Sequence, residues 1–134
     1  MKLLIDTNVL VYDTIEDSEH HDDASKIIDV AEEIFIPLIV VHEYIWVMLK
    51  LSVDPEIISS KIHEYLEDVR AKYLHESINV LVEALKMLKE DRSNRKEIND
   101  YIILSLALNN KLAIATFDKK LKEIASKRGI ETLP

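Results

Sequence analysis

The chain has 134 residues, 48% hydrophobic and 31% charged, with a formal net charge of −8. That length serves one core, burying roughly two-thirds of the unfolded surface, and the composition is that of a globular rather than a disordered protein. There is no cysteine and a single glycine, Gly129. This excludes disulfides, thiol nucleophiles, cysteine zinc sites, P-loops, dinucleotide-binding glycine fingerprints and the glycine-flanked serine elbow.

In chain order, Lys2–Ile5 is a short apolar run ending at Asp6-Thr7-Asn8, which predicts a buried strand and then a turn. Residues 22–33 carry Ala24, Ile27, Ile28 and Ala31 at helical spacing. Ile34–Ile36 before Pro37 reads as a second strand, and residues 38–51 as a helix apolar nearly all round, broken by His42, Glu43 and Lys50. Asp54-Pro55 opens another helix, with Ile58, Ile62, Tyr65, Leu66 and Val69 as its buried stripe. Residues 69–74 form a third strand. Ser77 caps a helix that turns Ile78, Leu81, Val82, Leu85 and Leu88 inward. A polar loop (89–96) leads into a helix over 97–109, a fourth strand over 112–116, and a helix over 119–127 with Gly129 at its C-terminal end. No linker, repeat or low-complexity stretch divides the chain, so residues 1–134 read as one domain. Strands alternating with helices imply right-handed crossovers and a three-layer α/β/α architecture around a central parallel sheet.

Residues 1–67 hold 4 basic and 15 acidic side chains, whereas 68–134 hold 13 and 10. The first half is suited to cations and the second to a phosphate backbone. With no eighteen-residue apolar run and no leader at MKLLID, the expected location is the cytoplasm. The absence of glutamine and cysteine is a weak thermophilic signature.

In parallel α/β sheets ligands bind beyond the carboxyl ends of strands. Asp6 follows the first strand and Asp118 ends the fourth, each also placed to cap a helix. Glu43 interrupts an apolar helix that offers it no partner. Asp100 sits in a first helical turn, where the helix dipole favours acids. Two carboxylates about 4 Å apart repel by about 4 kcal/mol at an effective dielectric near 20. Protonation or a divalent cation relieves that, and an oxygen-only ligand set selects Mg²⁺ or Mn²⁺ over zinc.

With LLIDTNVLVY at its start, PLIVVHEY at the second strand and helix, NDYIILSLA before the fourth strand and AIATFD at its end, the chain resembles the PIN-domain nucleases, in particular the VapC-type toxin ribonucleases, over essentially its whole length. The resemblance implies a Mg²⁺-dependent endoribonuclease (Mn²⁺ being the other candidate) acting on single-stranded RNA. In it Asp6 and Asp100 are the principal metal ligands, Asp118 completes the cluster and Glu43 acts through water. It further implies that Thr7, Asn8 and Thr116 orient these carboxylates, and that an antitoxin protein and a second copy of the chain are partners. Where many relatives carry a further acid this chain has Lys120. Lys119 and Lys120 are open to two readings, contacts to substrate phosphates or a solvated helix face.

The segment His42-Glu43-Tyr44-Ile45-Trp46 begins like a zinc-protease helix but has Trp46 where the second histidine belongs. His20, His21, His63 and His75 lack ligand spacing. The apolar span around Tyr44, Trp46, Val47 and Met48 reads as core, its excess over one stripe as a subunit interface. Two alternatives remain. One is a haloacid-dehalogenase-like phosphatase with Asp6 as nucleophile, for which Asn8 is the wrong residue at the general-acid position. The other is an inactive PIN fold serving as a binding module.

Overall fold

A computed structural model describes residues 1–134. The order is β1 (Lys2–Ile5), α1 (Thr7–Thr14), α2 (His21–Val30), β2 (Glu33–Pro37), α3 (Leu38–Lys50), α4 (Pro55–Leu66), β3 (Ala71–Leu74), α5 (Ile78–Glu90), α6 (Ile98–Asn110), β4 (Ala113–Ala115), α7 (Lys119–Lys127) and β5 (Thr132–Leu133), with a 3₁₀ turn, Arg95–Glu97, before α6. The five strands are all parallel, ordered β3-β2-β1-β4-β5. The chain leaves β1 on one side and returns through β4 on the other, so the strand order reverses beside β1, the position where such sheets open a crevice.

The apolar run of β1 fits a strand covered on both faces: Leu3, Leu4 and Ile5 are fully buried. In register, Leu3 lies opposite Ile34 of β2 and Ala113 of β4. Helix α1 packs on α2 and α3, α3 on α4, α5 on α6, and α6 on α7. Gly129 takes a left-handed φ of 73° just past α7, and the Ile130 N–H returns to the Ala125 carbonyl, closing that helix as the lone glycine predicts.

Four expectations need correcting. First, the turn after β1 is helix α1, which begins at once because Asp6 caps it: the Asp6 carboxylate accepts from the Thr7 N–H. Second, a fifth strand is present. Third, α5 turns Val80, Ala84 and Met87 inward, leaving Ile78 80% and Val82 58% exposed. The helix carries two apolar stripes, and the one with the small Ala84 lets α6 approach closely enough for the Ser105 hydroxyl to donate to the Val80 carbonyl. Fourth, Val69 lies beyond α4, fully exposed. In α3 the apolar excess divides: Tyr44 and Met48 are core, while Trp46 is 64% exposed. The N-terminus of α3 receives a distant cap, its Ile39 N–H donating to Glu76 at 3.0 Å.

A polar cluster ties α1, α2, α3 and α4 together. The Tyr65 hydroxyl donates to Asp13 at 2.6 Å, Ser25 donates to the other Asp13 oxygen at 2.7 Å, and the Thr14 hydroxyl lies 2.8 Å from that of Tyr44 and 2.9 Å from that of Tyr65. Burial, followed by the Asp13 hydrogen bond, raises the Tyr65 pKa, so the hydroxyl stays a donor. Tyr65→Phe should cost about 1–2 kcal/mol in urea unfolding, because Asp13 and Thr14 lose a partner in a half-buried site. A variant as stable as the parent would show that water replaces the hydroxyl.

Candidate functional site

The crevice beside β1 holds a cavity of about 310 Å³. Asp6, Glu43, Asp100 and Asp118 all line it, although they lie far apart in the chain. Each arrives for a local reason. Asp6 is the first residue past β1, its N–H held by the Ala115 carbonyl of β4. Asp118 caps α7, accepting at one oxygen from the N–H groups of Lys120 and Leu121. Glu43 stands in the middle of α3, and Asp100 in the first turn of α6.

Hydrogen bonds fix three of the four. Asp6, 6% exposed, accepts from the Thr7 N–H at 2.8 Å and the Thr116 hydroxyl at 2.6 Å, with the Asn8 amide 3.4 Å away. Glu43 accepts from the Thr7 hydroxyl at 3.1 Å and the Asn99 amide at 2.8 Å. Asn8 accepts from the Phe117 N–H at 3.1 Å, and the Thr116 hydroxyl oxygen accepts from the Asp118 N–H at 3.0 Å. Asn8 and Thr116 therefore stitch the end of β1 to the end of β4, and Thr7 ties it to α3. The carboxyl of Asp100 faces that of Glu97.

Crowding shows in the proton affinities. Burial raises the Asp6 pKa to about 6 against the opposing bonds from Thr116 and Thr7, with Glu43 and Asp118 adding to the rise. Asp100 is raised to about 7 by burial, then by the charges of Asp118, Asp6 and Glu97. None of the nine residues lining the cavity is Lys, Arg or His, so nothing in its wall neutralises this charge.

As placed, no three His, Cys, Asp or Glu side chains form a ready cage for a metal ion. The donor chemistry still fits a hard divalent cation, with carboxylate oxygens throughout and an uncompensated charge that a cation would relieve. The histidines stay outside any ligand group: His63 pairs with Glu67, His75 packs edge-on against Tyr73, and His20 stacks on Phe117 with ring centres 4.7 Å apart. Lys119 and Lys120 do not line the cavity.

Two residues at the site escape the sequence pattern, Glu97 and Asn99. Glu97 lies three residues before Asp100, a spacing that puts both on one helix face and was the available signal. Asn99 carried none, because its partner Glu43 is 56 positions away.

Solved structures of the same fold include the sarcin-ricin-loop-cleaving toxin VapC20 of Mycobacterium tuberculosis (TM-score 0.77, 12% identity, 90% of this chain and 93% of that one). VapBC2 of Rickettsia felis bound to a promoter DNA fragment has a TM-score of 0.71 and 20% identity, covering 98% and 97%. PAE2754 of Pyrobaculum aerophilum has a TM-score of 0.68 and 19% identity, covering 99% and 84%. No curated protein matches by sequence. The profile of the PIN domain matches residues 3–127, which is nearly all of the described fold, and the chain belongs to the PIN domain family.

Proposed function

We propose that this protein is a divalent-metal-dependent endoribonuclease that hydrolyses phosphodiester bonds in single-stranded RNA, the toxin of a type II toxin–antitoxin pair. The observation that carries the reading is the four-carboxylate cavity with no cation in its wall. Support for the biology comes from the fold, shared with a toxin that cleaves the sarcin-ricin loop and with a VapBC complex. The partners on this reading are RNA, a small antitoxin protein and a second copy of the chain. The place of work is the cytoplasm. No helix is long and apolar enough to cross a membrane.

Asp6, Asp100 and Asp118 would hold Mg²⁺ (or Mn²⁺), with Glu43 acting through water. The bound ion supplies a nucleophilic water at neutral pH and neutralises charge on the phosphodiester. The protein's own contribution is orientation. Thr116 and the Thr7 N–H lock the two oxygens of Asp6, and Thr7 and Asn99 lock those of Glu43, so little reorganisation remains when substrate arrives. Asn8 spends its amide on Asp6 and Phe117, and as an asparagine it has no titratable proton for the general-acid role that a phosphoaspartate mechanism needs.

The test is cleavage of single-stranded RNA with Mg²⁺, after EDTA, and after Mg²⁺ is restored. Activity should fall at least about a hundredfold in EDTA and return with the metal. Hydrolysis of a phosphate monoester without RNA cleavage would support the phosphatase instead, and silence on both substrates a binding module.

A further inference from the structure

A second cavity, about 590 Å³, shares Glu43, Val47, Asp100 and Asp118 with the acidic one and extends it past the C-terminal half of α3. Its added wall includes Trp46, His42 and Lys96. Trp46 comes from α3 and Lys96 from the 3₁₀ turn before α6, so the two meet only at this opening. On α3 the flanking Tyr44 and Met48 are fully buried, and the helical phase leaves the Trp46 ring 64% exposed. Its one close aromatic-type partner is the Lys50 ammonium, 5.1 Å from the ring centre.

Leaving the largest side chain of the chain in water forfeits apolar burial that the core would have used. The company it keeps is polar, with four carboxylates gathered toward the acidic cavity and Lys96 as the one ammonium: of the nine residues around the cavity, Trp46 and Val47 are the two hydrophobic ones. That is poor lining for an apolar peptide segment, for which a different cleft of about 340 Å³, walled by Ile45, Leu49, Ile58 and Ile62, is the better match. It is good lining for a nucleotide, whose flat base stacks on an aromatic face while its phosphate takes an ammonium.

We infer that Trp46 is the stacking platform for a nucleobase next to the scissile phosphate, and that Lys96 contacts an adjoining phosphate. This rests on the ribonuclease reading and deepens it: an unstacked base is needed, so the strand must be unpaired at this position. Both are substrate-binding residues, with no part in the bond-breaking step itself.

Trp46 is the single tryptophan, so fluorescence excited at the red edge of indole absorption, where the tyrosines do not absorb, reports this ring alone. A mixed-sequence single-stranded RNA oligonucleotide, added in Ca²⁺ buffer, should quench it saturably. An abasic oligomer of equal length should bind about tenfold more weakly without quenching, and the duplex form should not quench. Trp46→Ala should raise KM about tenfold with kcat retained, and Trp46→Phe should recover most of the loss. Lys96→Gln should flatten the salt dependence of binding by about 0.7 in log–log slope, one single-strand phosphate contact. An unchanged KM in Trp46→Ala, or cleavage by the parent without quenching, overturns the inference and leaves the nuclease reading standing. Quenching that discriminates against the abasic oligomer, with no cleavage in Mg²⁺, supports the stacking site while the nuclease reading fails. Loss of a dimer in Trp46→Ala, with nucleotide binding intact, would assign the ring to a second copy and overturn the inference as well.

Discussion

Asp100→Asn is expected to lower Mg²⁺-supported RNA cleavage at least about a hundredfold and, in EDTA, to make the protein more stable. The two effects share one cause. Asp100 is pushed to about 7 by burial and by the charges of Asp118, Asp6 and Glu97, and its carboxyl faces another carboxyl. On the proposed function, the cost of that crowding is relieved when a cation binds. The sign follows from linkage: an acid whose pKa rises on folding binds more protons folded than unfolded. Its cost is absent below about pH 4, grows as pH rises towards 7, and is constant above that. The neutral asparagine escapes this cost. Because the cavity mouth is open and water screens the charges, the gain at pH 8 is put at about 1–2 kcal/mol, a few degrees of melting temperature.

Melting curves of both proteins in EDTA from pH 4 to 8 should therefore diverge upward, with the variant on top. A lower melting temperature for the variant at pH 8 would make Asp100 a structural acid. Asp6→Asn should lose cleavage to a similar degree with less stabilisation, because removing an acid raised to about 6 is offset when the amide nitrogen meets the Thr7 N–H or the Thr116 hydroxyl where a carboxylate oxygen accepted. Mg²⁺-dependent cleavage retained in both variants would end the assignment of these acids to the chemistry.

Asp91→Ala should destabilise the protein by about 2 kcal/mol and leave KM and kcat untouched. Asp91 follows α5 with its side chain 8% exposed. Both guanidinium NH₂ groups of Arg128 donate to it at 2.9 Å, the Tyr101 hydroxyl at 2.7 Å and the Lys127 ammonium at 3.2 Å. The network joins the ends of α5 and α7 to α6, and the Arg128 guanidinium lies 6.0 Å from the centre of the Tyr101 ring. Breaking a fully buried pair costs about 3–5 kcal/mol; here Lys127 is 63% exposed and the network opens to water on that side, which lowers the figure. Arg128, followed by Tyr101 and Lys127, holds the Asp91 carboxyl well below the usual range against its burial. A depressed acid contributes its stability above the unfolded pKa near 4 and loses it as pH falls through the folded value. The gap between parent and variant in urea unfolding should be full at pH 6 and should shrink below about pH 4. A gap independent of pH would mean that packing of the side chain, and not its charge, is what counts.

Two of the acids were legible because they break a local rule: Asp6 ends a run buried on both faces, and Glu43 interrupts an apolar helix. Asp118 and Asp100 sit where a cap and a helix dipole favour acids, and only their shared sheet edge marked them. The parallel sheet brings Asp6 and Asp118 to one edge, just past β1 and β4, and Glu43 and Asp100 reach the same cavity from the middle of α3 and the first turn of α6. Helix α1 was not legible, because TNVLVYDT is apolar around Val9, Leu10 and Val11 without a clean stripe. Its stability comes from the Asp6 cap and from packing between α2 and α3. The facing of α5 was read backwards, since two apolar stripes compete and only the fit of Ala84 against α6 decides between them. Trp46 was read with its neighbours as core, with the excess as a subunit interface; two residues, about 200° of helical phase, put it on the opposite face from Tyr44 and Met48. Asn99 and the Asp91 network depend on partners dozens of residues away, beyond the reach of any periodicity.

The bond from Thr116 to Asp6 spans 110 positions, and it closes only when β4 docks beside β1. Any state with β1 to β3 paired and β4 loose lacks both Asp118 and the hydroxyl that aligns Asp6. Ordering of the carboxylates is thus tied to a pairing of high sequence separation, for which loop closure costs most. On the proposed function a molecule without that pairing would be inert, and activity would report the docking of β4 rather than the amount of helix or sheet formed.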